Sequence, residues 1–118
     1  MAHILSISYD QLLLRTRQLL FESCGYRVTS AFEFQAAVHA CEQAREFDLL
    51  IVGHTVPLRD KQQLMKTFRE FCNAPVITLE RVNDELVEAA DYHCDTDPQA
   101  LLDLVAKILK DKLPNQES

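Results

Sequence analysis

The sequence predicts one α/β domain of βα units wound around a parallel sheet, and three observations carry that prediction. Short β-branched apolar runs alternate with longer stretches whose apolar residues recur at helical spacing, the signature of βα units. The run Asp48-Leu-Leu-Ile-Val-Gly53 is almost unbroken apolar sequence, as a central strand covered on both faces requires. With 118 residues, 47% apolar and 25% charged, the chain matches one ordinary core.

Five units can be traced. His3 to Ser8 is the first strand. It leads into a helix that presents Leu12, Thr16, Leu19, Leu20 and Ser23 on one face, with Asp10 as N-cap and Gly25 as its stop. Tyr26 to Ser30 is a short second strand at an edge. Phe34, Ala37, Val38 and Cys41 repeat at i, i+3, i+4 and i+7, so Glu33 to Arg45 is predicted as the second helix. After the central strand and Pro57, residues Leu64, Met65, Phe68, Phe71 and Cys72 mark a third helix. Pro75 opens a fourth strand, Val76 to Leu79. A weaker helix covers Asn83 to Ala90, and Tyr92 to Cys94 is a short fifth strand. The last helix has Asp97 as N-cap, Pro98 at its first position, and Leu101, Leu102, Val105, Ile108 and Leu109 facing inward. The expected domain is 1–113, with 114–118 a polar tail and no second domain.

Composition narrows the function. Twelve Lys and Arg against 18 Asp and Glu give a formal charge of −6, which disfavours nucleic acid or an anionic membrane as partner. The longest apolar stretches fall far short of the ~20 residues of a membrane span. The start lacks the pattern of a secretory signal, so a cytoplasmic location is expected. Cys24, Cys41, Cys72 and Cys94 form no CxxC pair, and reduced core thiols are expected rather than a zinc site.

Several fragments in this order carry a resemblance: Gly25-Tyr26-x-Val28, Phe47-Asp48-Leu-Leu-Ile-Val, Pro57-x-x-Asp60, Pro75-Val-Ile and Ala89-Ala90-Asp91-Tyr92. Over about residues 3 to 112, the chain resembles the receiver domain of bacterial two-component response regulators (CheY-like). The resemblance implies a three-layer, doubly wound, flavodoxin-like fold, with a five-stranded parallel sheet in the order 2-1-3-4-5 and five helices. It also implies a functional site where strands one and three end, the switch point of such sheets.

Set against that pattern, the departures are specific. Ser8 and Tyr9 stand where typical receivers carry two acidic residues, and Gly53 stands at the phospho-accepting Asp. Glu80 replaces a Thr or Ser, and Asp95-Thr96 replaces a Lys-Pro pair. Tyr92, the switch aromatic of the family, is kept. Phosphorylation of an aspartate needs a carboxylate nucleophile and a magnesium ion, and magnesium is usually held through one or two carboxylates. Ser8, Tyr9 and Gly53 offer none, so neither cofactor nor metal is expected there. The positive anchor of the family pocket is missing as well. If Glu80 and Asp95 face each other, one should have a raised pKa, and a weak cation site could form. Without the proline, the Asp95-Thr96 bond should be trans.

The remaining candidates are weak. His54 and His93 lie near the same rim, with no nucleophile at a recognised spacing, and His3 and His39 read as surface or strand-flanking residues. Ser8 lacks a G-x-S-x-G elbow. Tyr92 is either held in one rotamer, making the domain constitutive, or a plain half-buried aromatic. The resemblance points to the face of the fourth helix, fifth strand and fifth helix as the partner surface. There Asp84, Glu85 and Glu88 oppose Lys107, Lys110 and Lys112, a polarity suited to a homodimer. The expected function is that of a stand-alone atypical receiver, a pseudo-receiver in a two-component or phosphorelay setting. It would act in signal transduction through phosphorylation-independent contact with a protein partner, and not as an enzyme. The alternative is a flavodoxin-like module that binds a small ligand or cation at the strand ends.

Overall fold

The computed structural model describes residues 1–43 and 46–112, with the side chains of Asp111 and Lys112 left aside. The end of the expected second helix at Arg45 and the polar tail, 114–118, lie outside the described residues. The elements run β1 (His3–Ser8), α1 (Gln11–Ser23), β2 (Arg27–Phe32), α2 (Glu33–Gln43), β3 (Leu49–Val52), α3 (Leu58–Phe71), β4 (Val76–Leu79), β5 (Tyr92–Cys94) and α4 (Pro98–Lys112). The strands form one parallel sheet in the order β2-β1-β3-β4-β5, the order that the resemblance implied.

Successive strand residues point to opposite faces, and the alternation divides the core in two. Leu5, Ile7, Leu50, Val52 and Val76 pack with Ala37, Cys41, Leu64, Met65 and Phe68 under α2 and α3. Ile4, Leu49, Ile51, Ile77 and Leu79 pack with Phe21, Leu101, Val105, Ile108 and Leu109 under α1 and α4. All four residues of β3 are fully buried, which explains its unbroken apolar run. Asp10 caps α1 by accepting from the Leu12 and Leu13 amides, and Gly25 takes the left-handed φ of +94° after the helix ends. Asp97 accepts from the Ala100 amide at the start of α4. The Asp95-Thr96 peptide is trans, as is every described bond.

Four expectations need correction. The first concerns α1, whose inward residues are Leu14, Arg17 and Phe21, while Leu12 and Leu19 are 73% and 55% exposed. This helix has leucines around most of its circumference, so spacing alone does not choose a face. The choice follows Phe21, the bulkiest apolar side chain available. Replacing Leu12 by Gln is accordingly expected to leave stability within about 0.5 kcal/mol of the parent in urea titrations.

The second correction is the helix count. The segment Asn83 to Ala90 is not helical, so four helices flank the sheet. Eight residues are too few to sustain a helix without strong packing, and this stretch buries only Val87, leaving Leu86 exposed, as is Val82 just before it. Asp84 also competes with helix formation by accepting from the Arg81 amide.

The third correction is to β2, which spans Arg27–Phe32 rather than Tyr26 to Ser30; it does lie at an edge of the sheet. Parallel pairing of Ser8 with Phe32 along β1 extends it. The fourth concerns the cysteines: none forms a disulfide among the described residues, but only Cys41 and Cys72 are buried, whereas Cys94 is half-buried and Cys24 exposed. No described helix is long and apolar enough to cross a membrane.

Candidate functional site

The C-terminal ends of β1, β3 and β4 meet at one rim, and there the sequence places Ser8, Tyr9, Gly53 and Glu80. Ser8 is fully buried. Its Oγ accepts from the Asp10 amide at 3.0 Å and lies 3.1 Å from Thr55 Oγ1. Thr55 Oγ1 in turn accepts from the Tyr9 amide at 2.9 Å, and the Tyr9 hydroxyl donates to Asp60 Oδ2 at 2.7 Å. These bonds join the loop after β1 to the loop after β3 and to the first turn of α3. Burial, reinforced by Asp60, raises the Tyr9 pKa, so the phenol stays a donor. Ser8 and Tyr9 thus close the rim through hydroxyl contacts.

Gly53 is buried and donates to the Ile7 carbonyl at 2.9 Å. The space a side chain would take is filled from α1. A Cβ on Gly53 would lie 3.0 Å from Arg17 Nη2, 3.5 Å from Arg17 Nη1 and 3.0 Å from the Ile7 oxygen. Arg17 is 8% exposed, and its Nη1 donates to Ser6 Oγ at 3.1 Å and to the Ile7 carbonyl at 3.3 Å. Burial lowers its pKa to about 10, leaving it charged at neutral pH.

A second buried cation corrects the expectation that the rim has no positive anchor. Lys61 of α3, 3% exposed, donates to the Leu79 carbonyl at 2.9 Å and stands 3.7 Å from Glu80 Oε2. Burial lowers the Lys61 pKa, and the Glu80 charge opposes that shift. Glu80 is 6% exposed and also lies 3.3 Å from His93 Nδ1, which is 3.0 Å from Thr78 Oγ1. His93 therefore has a positioned carboxylate that its place in the sequence did not reveal.

Asp95 does not join this cluster. It is exposed and accepts from the Asp97 amide at 2.8 Å, whereas Glu80 is buried against Lys61 and His93, so the condition of a facing Glu80–Asp95 pair is not met. Among the described residues, no three His, Cys, Asp or Glu side chains converge as a metal set. Tyr92 is 39% exposed at the edge of the sheet. Asp84, Glu85 and Glu88 belong to the irregular segment between β4 and β5, while Lys107 and Lys110 are exposed on α4. The acidic half of the expected dimer surface is therefore a loop rather than a helix.

Two half-buried histidines couple this architecture to pH. Burial, then the charges of Arg81 and Arg17, lowers the His54 pKa below 6.5. Burial and Arg27 do the same to His3, whose Nε2 lies 2.7 Å from Thr29 Oγ1. Each imidazole binds a proton more readily in the unfolded chain than in the folded one. Their contribution is complete above pH 6.5 and is lost as pH falls through that value toward the lowered folded pKa. Urea midpoints at about pH 7.5 and about pH 5.5 should converge in His54→Asn relative to the parent; an unchanged difference would exclude His54 as a source.

Comparison with protein-family models and with curated protein sequences returned no match. Solved structures do match along nearly the whole chain. The receiver domain of the Francisella response regulator 1452 superposes with a TM-score of 0.81 at 20% identity, covering 96% of this chain and 100% of that one. A two-component response regulator from Clostridium difficile gives 0.82 at 18% identity, covering 95% and 98%. The chemotaxis response regulator CheY4 of Vibrio cholerae gives 0.73 at 17%, covering 92% and 98%. The likeness is one of fold: this chain is built as receiver domains are.

Proposed function

We propose that this receiver-fold domain is a signal-transduction module that binds a protein partner without being phosphorylated. The observation that supports this reading most directly is the end of β3. Gly53 stands where the resemblance assigns a phospho-accepting carboxyl group, and the Arg17 guanidinium fills the adjoining space. Ser8 and Tyr9 supply no carboxylate for magnesium, and their polar groups are engaged in the rim. The rim holds hydrogen-bonded and ion-paired groups but no carboxylate nucleophile in the family position, so we read the domain as a binding module rather than an enzyme.

The partner surface on this reading is the β5 and α4 side, bearing Tyr92, Lys107 and Lys110, with the acidic loop beside it. The module is expected to show no saturable, magnesium-dependent amide shift at Gly53 when titrated with beryllofluoride or acetyl phosphate and followed by NMR. A saturable shift there that disappears on magnesium removal would overturn phosphorylation independence.

A further inference from the structure

Arg17 carries a buried charge that this architecture leaves uncompensated. Among the described residues it forms no ion pair. Both hydrogen bonds of its guanidinium leave through Nη1, toward Ser6 and Ile7, so Nη2 and Nε have no acceptor among those residues. Burial alone accounts for its lowered pKa, with no acidic group acting against it. An isolated buried ion is costly to desolvate, a cost that an anion arriving from outside would offset.

Such an anion has room beside it. Arg17 lines a cavity of about 110 Å³ between α1 and α4, together with His54 and the apolar side chains Leu13, Leu20, Leu79 and Leu101. A guanidinium matches a carboxylate through two parallel N–H donors. The leucine walls favour a hydrocarbon chain, and Thr16, Thr96 and His54 are too few polar groups to satisfy the remaining oxygens of a doubly charged phosphate. A cavity of ~150 Å³ admits a benzene molecule, so this smaller one suits a body of a few carbons.

We propose that the α1/α4 cavity is a binding site for a short-chain monocarboxylate, with its carboxylate on Arg17 and its alkyl end among Leu13, Leu20, Leu79 and Leu101. The site goes beyond the protein-partner reading and stands apart from it: loss of either leaves the other intact, because the magnesium titration tests one and the titration below tests the other. The positive charge of Arg17 at the cavity also turns the strand-end ligand alternative away from a cation.

The test is an NMR titration of the full chain with sodium butyrate at constant ionic strength and neutral pH, with butanol and inorganic phosphate as separate probes. Butyrate should give saturable amide shifts at Thr16, Gly53, His54 and Leu101, with a Kd on the order of millimolar, as the small contact surface of such a ligand allows. Arg17→Met should weaken binding at least about tenfold, the loss of one charge-assisted contact. Leu13→Trp, at a partly exposed position, should block the cavity with Arg17 still present. Absence of saturation in the parent overturns the proposal. Equal shifts with butanol overturn it too, since the charge would then play no part, and tighter binding of phosphate overturns the choice of a monocarboxylate. If Arg17→Met does not fold, undiminished butyrate binding by Leu13→Trp is the overturning result.

Discussion

Lys61→Met is expected to lose about 3–5 kcal/mol of folding stability at neutral pH, the usual consequence of removing one partner from a buried ion pair. Glu80 would remain in its buried place with the His93 ring beside it, and the Leu79 carbonyl would lose its lysine donor. The expense is that of the stranded carboxylate, not the net worth of the pair. The double variant Lys61→Met/Glu80→Leu should therefore recover most of the loss. Urea unfolding of the parent, both single variants and the double variant closes the cycle. A Lys61→Met chain within about 1 kcal/mol of the parent would show that Glu80 finds solvent or another cation.

Gly53→Ala is expected to cost about 1–3 kcal/mol through overpacking. Its methyl group would meet two atoms at 3.0 Å, and they differ in how they can respond. Arg17 Nη2 is the tip of a flexible side chain. The Ile7 oxygen belongs to β1 and already accepts from the Gly53 amide, so it can give little. Gly53→Asp meets the same carbonyl but sets a carboxylate against an unpaired buried cation, and it should cost less than the alanine. In an Arg17→Met background that order should reverse, because the new carboxylate would have lost its counter-ion. An unchanged order in both backgrounds would show that sterics alone governs the site. On the proposed reading the aspartate variant should still take no phosphoryl group, since Ser8 and Tyr9 offer no carboxylate for magnesium.

The inner strands β1, β3 and β4 and two of the helices were legible because their residues report directly on burial. β1 and β4 begin and end where the apolar runs do, and α4 buries Leu101, Val105, Ile108 and Leu109 as its spacing required. The misreadings share a cause in the sense of charge and context. Arg17 and Lys61 are long cations, which sequence patterns assign to solvent; each instead points under the sheet's rim, where an unoccupied glycine position or a partner glutamate receives it. Two signals were present: a two-glycine sequence with one glycine closing the most buried strand, and Glu80 directly after an apolar strand. Both imply a polar side chain arriving from elsewhere, though neither says from which helix. The segment from Asn83 to Ala90 failed for a different reason, since its apolar residues have the right composition but only Val87 finds a core to enter.

The hydroxyl contacts that bind Ser8, Tyr9, Thr55 and Asp60 across the top of the sheet set how this end of the molecule responds to its solvent. A seam held by short-range hydrogen bonds, one of them to the Asp60 carboxylate and the others between neutral groups, is little screened by electrolyte and bridges its loops through the chain's own side chains. Chelators and concentrated salt should leave the shape of that end unaltered, giving any molecule that recognises it the same template in every ionic milieu.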